Sequence, residues 1–110
     1  MELKELLEKQ KKLDKFITKR YDPSMQQKDF LVYRLLALHV EVSELANATR
    51  SFKYWSEKEP EAKKRILSEY ADVLHFFLSV GHALNFTAEE IEEAYLEKHE
   101  ENYKRQLEGY

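Results

Sequence analysis

Four carboxylates stand where ordinary packing would place aliphatic side chains. Glu41 and Glu44 lie in LLALHVEVSELA, and Glu69 and Asp72 lie in ILSEYADVLHFFLSV, each pair spaced acid-x-x-acid. On a helix, residues three apart share a face, so two ionised acids at that spacing repel. Taking them out of water raises the cost further. A divalent cation between the two pairs resolves the conflict, and hard oxygen donors suit Mg²⁺ with its remaining positions open to water and phosphates. The competing reading is a set of core carboxylates satisfied by hydrogen bonds. Other acid-x-x-acid pairs, such as Glu2/Glu5 and Glu89/Glu92, lie in stretches crowded with Lys and Glu and read as solvated faces.

The chemistry such a centre supports is metal-assisted phosphoryl transfer, with the ion polarising phosphate oxygens and acidifying an attacking water. The rest of the chain offers no rival. There is no glycine-rich phosphate loop, nucleophile elbow or zinc pattern. A ferritin-like di-iron centre would need two Glu-x-x-His motifs, and the nearest relative is a single Asp72-x-x-His75. His39 and His75 have no thiol or hydroxyl partner in pattern and read as hydrogen-bonded residues of the core or behind the site.

The elements that position these acids read as helices throughout. The 110 residues include only two Gly and two Pro, which with abundant Leu, Glu and Lys predicts an all-α chain. A first helix is expected over about 2–19, with Leu3, Leu6, Leu7, Leu13, Phe16 and Ile17 as its apolar stripe and Gln10 inside that stripe. Asp22-Pro23 ends it. A second helix over about 27–50 is apolar nearly all round, which predicts that more than one face is covered and favours an oligomer. The segment SFKYWSEKE reads as a loop, Pro60 as the first position of a third helix reaching about Leu84, and Asn85 as its stop. Thr87-x-x-Glu90 is a capping box for a fourth helix. The expected fold is a compact four-helix bundle forming one domain over 1–110, completed by dimerisation.

The fourth helix carries a second oddity. Its stripe starts with Ile91, Ala94 and Tyr95 and continues at helical spacing with Lys98, Asn102 and Arg105. One reading is a helix end whose cations complement the macrodipole. The other is an anion clamp, with cations and an amide gripping a polyphosphate that a metal holds from the opposite side.

Charge and composition exclude several classes. A net charge of −3 with mixed signs offers no basic stripe for a nucleic-acid polymer. No apolar run reaches the roughly 20 residues of a membrane span. The absence of Cys and of an apolar N-terminal signal core fits a cytoplasmic protein.

Taken together, Glu41-x-x-Glu44 followed by Glu69-x-x-Asp72 in an all-α chain resembles the MazG-like all-α nucleoside triphosphate pyrophosphohydrolases. ELANATRSFKYWS, EYADVLHF and AYLEKHEENYKRQLEGY are similar to the dimeric dUTPase branch, so the likeness runs over nearly the whole chain. The resemblance implies a homodimer that uses Mg²⁺ to hydrolyse dUTP to dUMP and pyrophosphate at the α-phosphate. It implies metal ligation by Glu41, Glu44, Glu69 and Asp72, with Glu44 also orienting or deprotonating the water. It carries a Lys-x-x-x-Asn-x-x-Arg-x-x-x-x-Tyr series for phosphates and nucleotide onto Lys98, Asn102, Arg105 and Tyr110, and a uracil-side Gln onto Gln10. Trp55 matches the position expected to pack on the nucleotide, with Lys53 and Asn47 as supporting contacts. Asp14 stands where the family often has Asn, at a polar base or sugar contact. Many members carry further helices after the Gly-Tyr element. The alternatives are a MazG-like enzyme for dCTP or a modified nucleotide, which differs only in its base pocket, and a non-catalytic helical interaction module. An amide can offer donor or acceptor, so Gln10 alone does not fix the base.

Overall fold

The computed structural model describes residues 1–109. Among them four helices follow in order, α1 (Leu3–Tyr21), α2 (Gln27–Thr49), α3 (Lys63–Ala83) and α4 (Ala88–Leu107), and there is no strand. α2 and α3 pack most closely, α1 lies on α3, and the α4 backbone approaches only α1. No described helix is long and apolar enough to cross a membrane.

α2 and α3 are antiparallel in a register that recurs every seven residues. Gln27 Nε2 donates to the Ala83 carbonyl at one end. Two turns on, the Arg34 guanidinium lies 5.6 Å from the centre of the Phe76 ring. After two more turns Glu41 meets Glu69, and at the far end the Glu61 N–H donates to the Ala48 carbonyl at 3.0 Å. A seven-residue repeat holds one helical stripe against its neighbour. Glu41 and Glu69 therefore occupy seam positions, which is why they lose water.

That last hydrogen bond also moves the start of α3. Pro60 was expected to open the helix, but tying Glu61 to Ala48 keeps the chain extended through Ala62 (φ −60°, ψ 151°), and the helix begins at Lys63. At the other end Asn85 adopts φ 60°, its N–H reaches the His82 carbonyl and the Phe86 N–H reaches that of Gly81. Both bonds satisfy terminal carbonyls in a Schellman arrangement, for which Asn is one of the few suitable non-glycine residues. Thr87 and Glu90 then form the expected reciprocal capping box.

The buried cluster of Leu7, Leu78 and Ala88, flanked by Leu3, Leu6 and Ile91, sits where α1, α3 and α4 meet. Beyond Ile91 the side chains of α4 are largely exposed, Glu101 being half-buried. Large apolar side chains remain uncovered on both seam helices, among them Val32, Leu35, Leu36 and Val40 on α2 and Leu67, Tyr70, Leu74 and Phe77 on α3. The α3 set recurs at three- and four-residue steps and so forms one continuous stripe.

Candidate active site

The seam brings Glu41, Glu69 and Asp72 together, with one carboxylate oxygen of each within 4.8 Å of the others. Glu69 is buried, Glu41 half-buried and Asp72 exposed, so the trio has a closed floor and an open side. One oxygen of Glu69 meets Arg65 Nη2 at 2.8 Å. Its other oxygen, and Oε2 of Glu41, are buried without a hydrogen bond. Unsatisfied buried acceptors are rare enough to require an explanation. Three converging carboxylates, two of them with a buried unpaired oxygen, fit a divalent cation, so the donor set passes that test.

Electrostatics point the same way. Burial, a side-chain hydrogen bond with Glu44, and the charges of Glu44, Asp72 and Glu69 push the Glu41 carboxyl up to about 7. Such a bond between two acids requires a proton on one of them. Glu44 is exposed and stands beside the trio through its link to Glu41. Next to the acids lies an open cleft of about 330 Å³, lined by Glu44, Asn47, Arg50, Glu61, Arg65 and Glu69.

A second polar centre lies along the same helix pair. Asp14 of α1 is 1 % exposed. Its Oδ1 accepts from Gln10 Nε2 at 2.9 Å and lies 3.8 Å from Arg34 Nη2. Its Oδ2 accepts from Ser79 Oγ at 2.8 Å and meets His82 Nδ1 at 3.1 Å. Arg34 in turn lies 4.9 Å from the Phe30 ring centre. Seven residues separate Arg34 from Glu41 and Ser79 from Asp72, so the two centres are about 10 Å apart along the helices at 1.5 Å per residue.

The family model described as dUTPase matches residues 2–85 and 77–110, two overlapping segments that take in nearly the whole chain. The chain belongs to the dUTPase family. Membership makes it a nucleoside triphosphate pyrophosphohydrolase acting on dUTP. No curated protein and no solved structure matches it.

In this dUTPase the expected site residues fall into three groups. Glu41, Glu69 and Asp72 converge, and Glu44 and Asn47 border the same cleft. Gln10 and Asp14 are joined to one another and buried. Lys98, Asn102 and Arg105 share a face of α4, where Lys98 and Arg105 both engage Glu101, at 3.3 and 2.6 Å, and hold its carboxyl below the ordinary value. The structure does not bring the α4 backbone up to the acids. Tyr110 lies outside the described residues.

Trp55 is 64 % exposed and meets Tyr54 and Phe52 edge-on, so it is not a core anchor beneath its loop. Lys53 Nζ lies 5.7 Å from the Phe52 ring centre. The loop is held by Arg50, which takes φ 56° and donates to Ser56 Oγ and the Lys58 carbonyl. His39 and His75 are exposed rather than core residues. Arg65, Arg34, Ser79 and His82 escaped the sequence reading. The i,i+4 spacing of Arg65 and Glu69 was a visible signal, whereas Arg34, Ser79 and His82 reach Asp14 from other helices.

Proposed function

We propose that this dUTPase hydrolyses dUTP to dUMP and pyrophosphate in a Mg²⁺-dependent reaction, as a homodimer of single-domain chains (1–110) in the cytoplasm. The observations that carry the metal-dependent reading are the buried, unsatisfied oxygen on each of Glu41 and Glu69 and the convergence of these two carboxylates with that of Asp72. Glu41, Glu69 and Asp72 would hold the ion, and Glu44 completes the acidic set. When bound, Mg²⁺ supplies the positive charge that polarises phosphate oxygens and acidifies water.

Glu44, exposed beside the trio, accepts the proton of the attacking water as its oxygen adds to the α-phosphorus and the bond to the bridging oxygen of the β-phosphate breaks. Its place beside Glu41 sets it next to the residues that would hold the ion. Arg65 limits repulsion by holding the outer oxygen of Glu69. Gln10 contacts the base, with Asp14 behind it, and the roughly 10 Å between this centre and the acids suits a deoxynucleoside lying along the seam. Trp55 offers a ring face to the nucleotide, and Asn47 and Lys53 support that side of the cleft. Lys98, Asn102, Arg105 and Tyr110 are assigned the phosphates on the family resemblance alone, since the α4 backbone does not approach the acids within one chain. The uncovered apolar stripes of α2 and α3 favour a homodimer, since exposed patches of this kind mark association surfaces.

The test is pyrophosphate release from dUTP, dCTP, dTTP, dATP and UTP by the purified protein, with Mg²⁺ and with EDTA. Strong Mg²⁺-dependent preference for dUTP is expected. Release that survives EDTA would refute the metal role, and dCTP-selective release would refute the base assignment.

A further inference from the structure

The hydrogen-bond chemistry of Asp14 removes an ambiguity that an amide ordinarily keeps. An ionised carboxylate has only acceptors, so the group Gln10 turns towards Asp14 Oδ1 at 2.9 Å must be its –NH₂. Rotation of the carboxylate does not release this constraint, because Oδ2 is engaged by the Ser79 hydroxyl and His82 Nδ1. Arg34 supplies a cation beside Oδ1. Every group around Asp14 is therefore a donor, and the Gln10 amide has one orientation. Its oxygen faces away from Asp14. Among the described residues nothing donates to that oxygen, yet it is not among the sealed, unsatisfied atoms, so it reaches accessible space. The –NH₂ of this side chain, only 6 % exposed, is held at Asp14 through one of its N–H groups, and Oε1 is left as its acceptor.

We propose that Asp14 is the positioning residue for base selection: it locks Gln10 so that Oε1 meets the base edge, admitting a pyrimidine with an N–H at ring position 3 and rejecting one with a lone pair there. Uracil has that N–H. A cytosine seated in the same place turns a lone pair towards Oε1, and a site that leaves a polar group unpaired discriminates strongly. Asn at position 14 can offer either oxygen or –NH₂ and so cannot fix the amide, which makes the carboxylate in this chain consequential. The inference rests on the reading of Gln10 as a base contact.

The experiment compares kcat/KM for dUTP and dCTP, with Mg²⁺, in the wild type and in Gln10→Ala, Asp14→Asn and Ser79→Ala, each confirmed folded by circular dichroism. Asp14→Asn is expected to reduce the dUTP:dCTP ratio at least about fivefold, the worth of one hydrogen bond. Ser79→Ala removes a different bond to the same carboxylate and should keep the wild-type ratio even if it melts earlier. A collapsed ratio in Gln10→Ala with an unchanged ratio in Asp14→Asn overturns the positioning role alone. An unchanged ratio in Gln10→Ala removes Gln10 from the base site and the inference with it. Should Asp14→Asn fail to fold, the side-chain amide signals of Gln10 in the wild type, assigned by their loss in Gln10→Ala, decide the matter. Facing Asp14, they should stay protected from exchange with and without dUMP; protection that appears only with dUMP overturns the proposal.

Discussion

Glu41→Gln tests the electrostatic reasoning without relying on turnover. The Glu41 carboxyl rises from an unperturbed 4.5 to about 7 in the folded chain. A raised value means the folded state keeps a proton that the unfolded chain has released, so the associated stability is full below about pH 4.5 and is lost as pH rises through 7. The shift corresponds to at most about 3 kcal/mol. Glu41 is only half-buried, and solvent screening reduces the realised effect to about 1–2 kcal/mol. Gln stays neutral throughout. In EDTA at pH 8 the variant should therefore melt roughly 5–15 °C above the wild type, taking about 4–8 °C per kcal/mol for a domain near this size. At pH 4.5 the two curves should converge, and the four histidines cancel in the comparison. Adding Mg²⁺ at pH 8 should raise the wild type by mass action and the variant much less. A variant that melts at or below the wild type in EDTA at pH 8 would refute the claim that Glu41 carries a destabilising charge in the seam.

Three further outcomes follow from the same geometry. Glu44→Gln should reduce turnover at least about a hundredfold, the usual contribution of a general base, while Mg²⁺ still raises the melting temperature; near-normal pyrophosphate release removes Glu44 from proton transfer. Arg65→Ala deletes the cation competing for Glu69, so the Mg²⁺ concentration at half-maximal thermal shift should fall, and a rise would show that Arg65 assists the ion instead. Leu74→Arg puts a charge in the exposed α3 stripe and should shift sedimentation from dimer towards monomer, whereas an unchanged dimer would place the interface elsewhere.

How far the fold could be read from the sequence depended on how local the signal was. The Pro23 break, the Thr87–Glu90 box and the Asn85 stop are each set by a few neighbouring residues, and each stands where expected. Pro60 misled because a long-range bond from Glu61 to Ala48 overrides the local preference. Among the acids, Glu41, Glu69 and Asp72 were legible as charge inside apolar stretches, but the separation of Glu44 from the trio depends on seam register. Asp14 was legible only as a departure from a resemblance. Its partners Arg34, Ser79 and His82 come from two other helices, and no spacing within α1 encodes them.

The matched clamps on the α2–α3 seam constrain how chains of this kind can change length. Gln27 to Ala83 and Ala48 to Glu61 tie the two ends, and the facing acids lie between them. Adding or deleting one residue inside either helix would swing everything beyond it by about 100° and turn one acid pair away from the other. The segment from Ser51 to Glu59 lies outside the clamped span, where backbone can lengthen without disturbing that phase. Insertions tolerated by function should accordingly gather in this connection, and those within the seam should come only as multiples of seven made in both helices together.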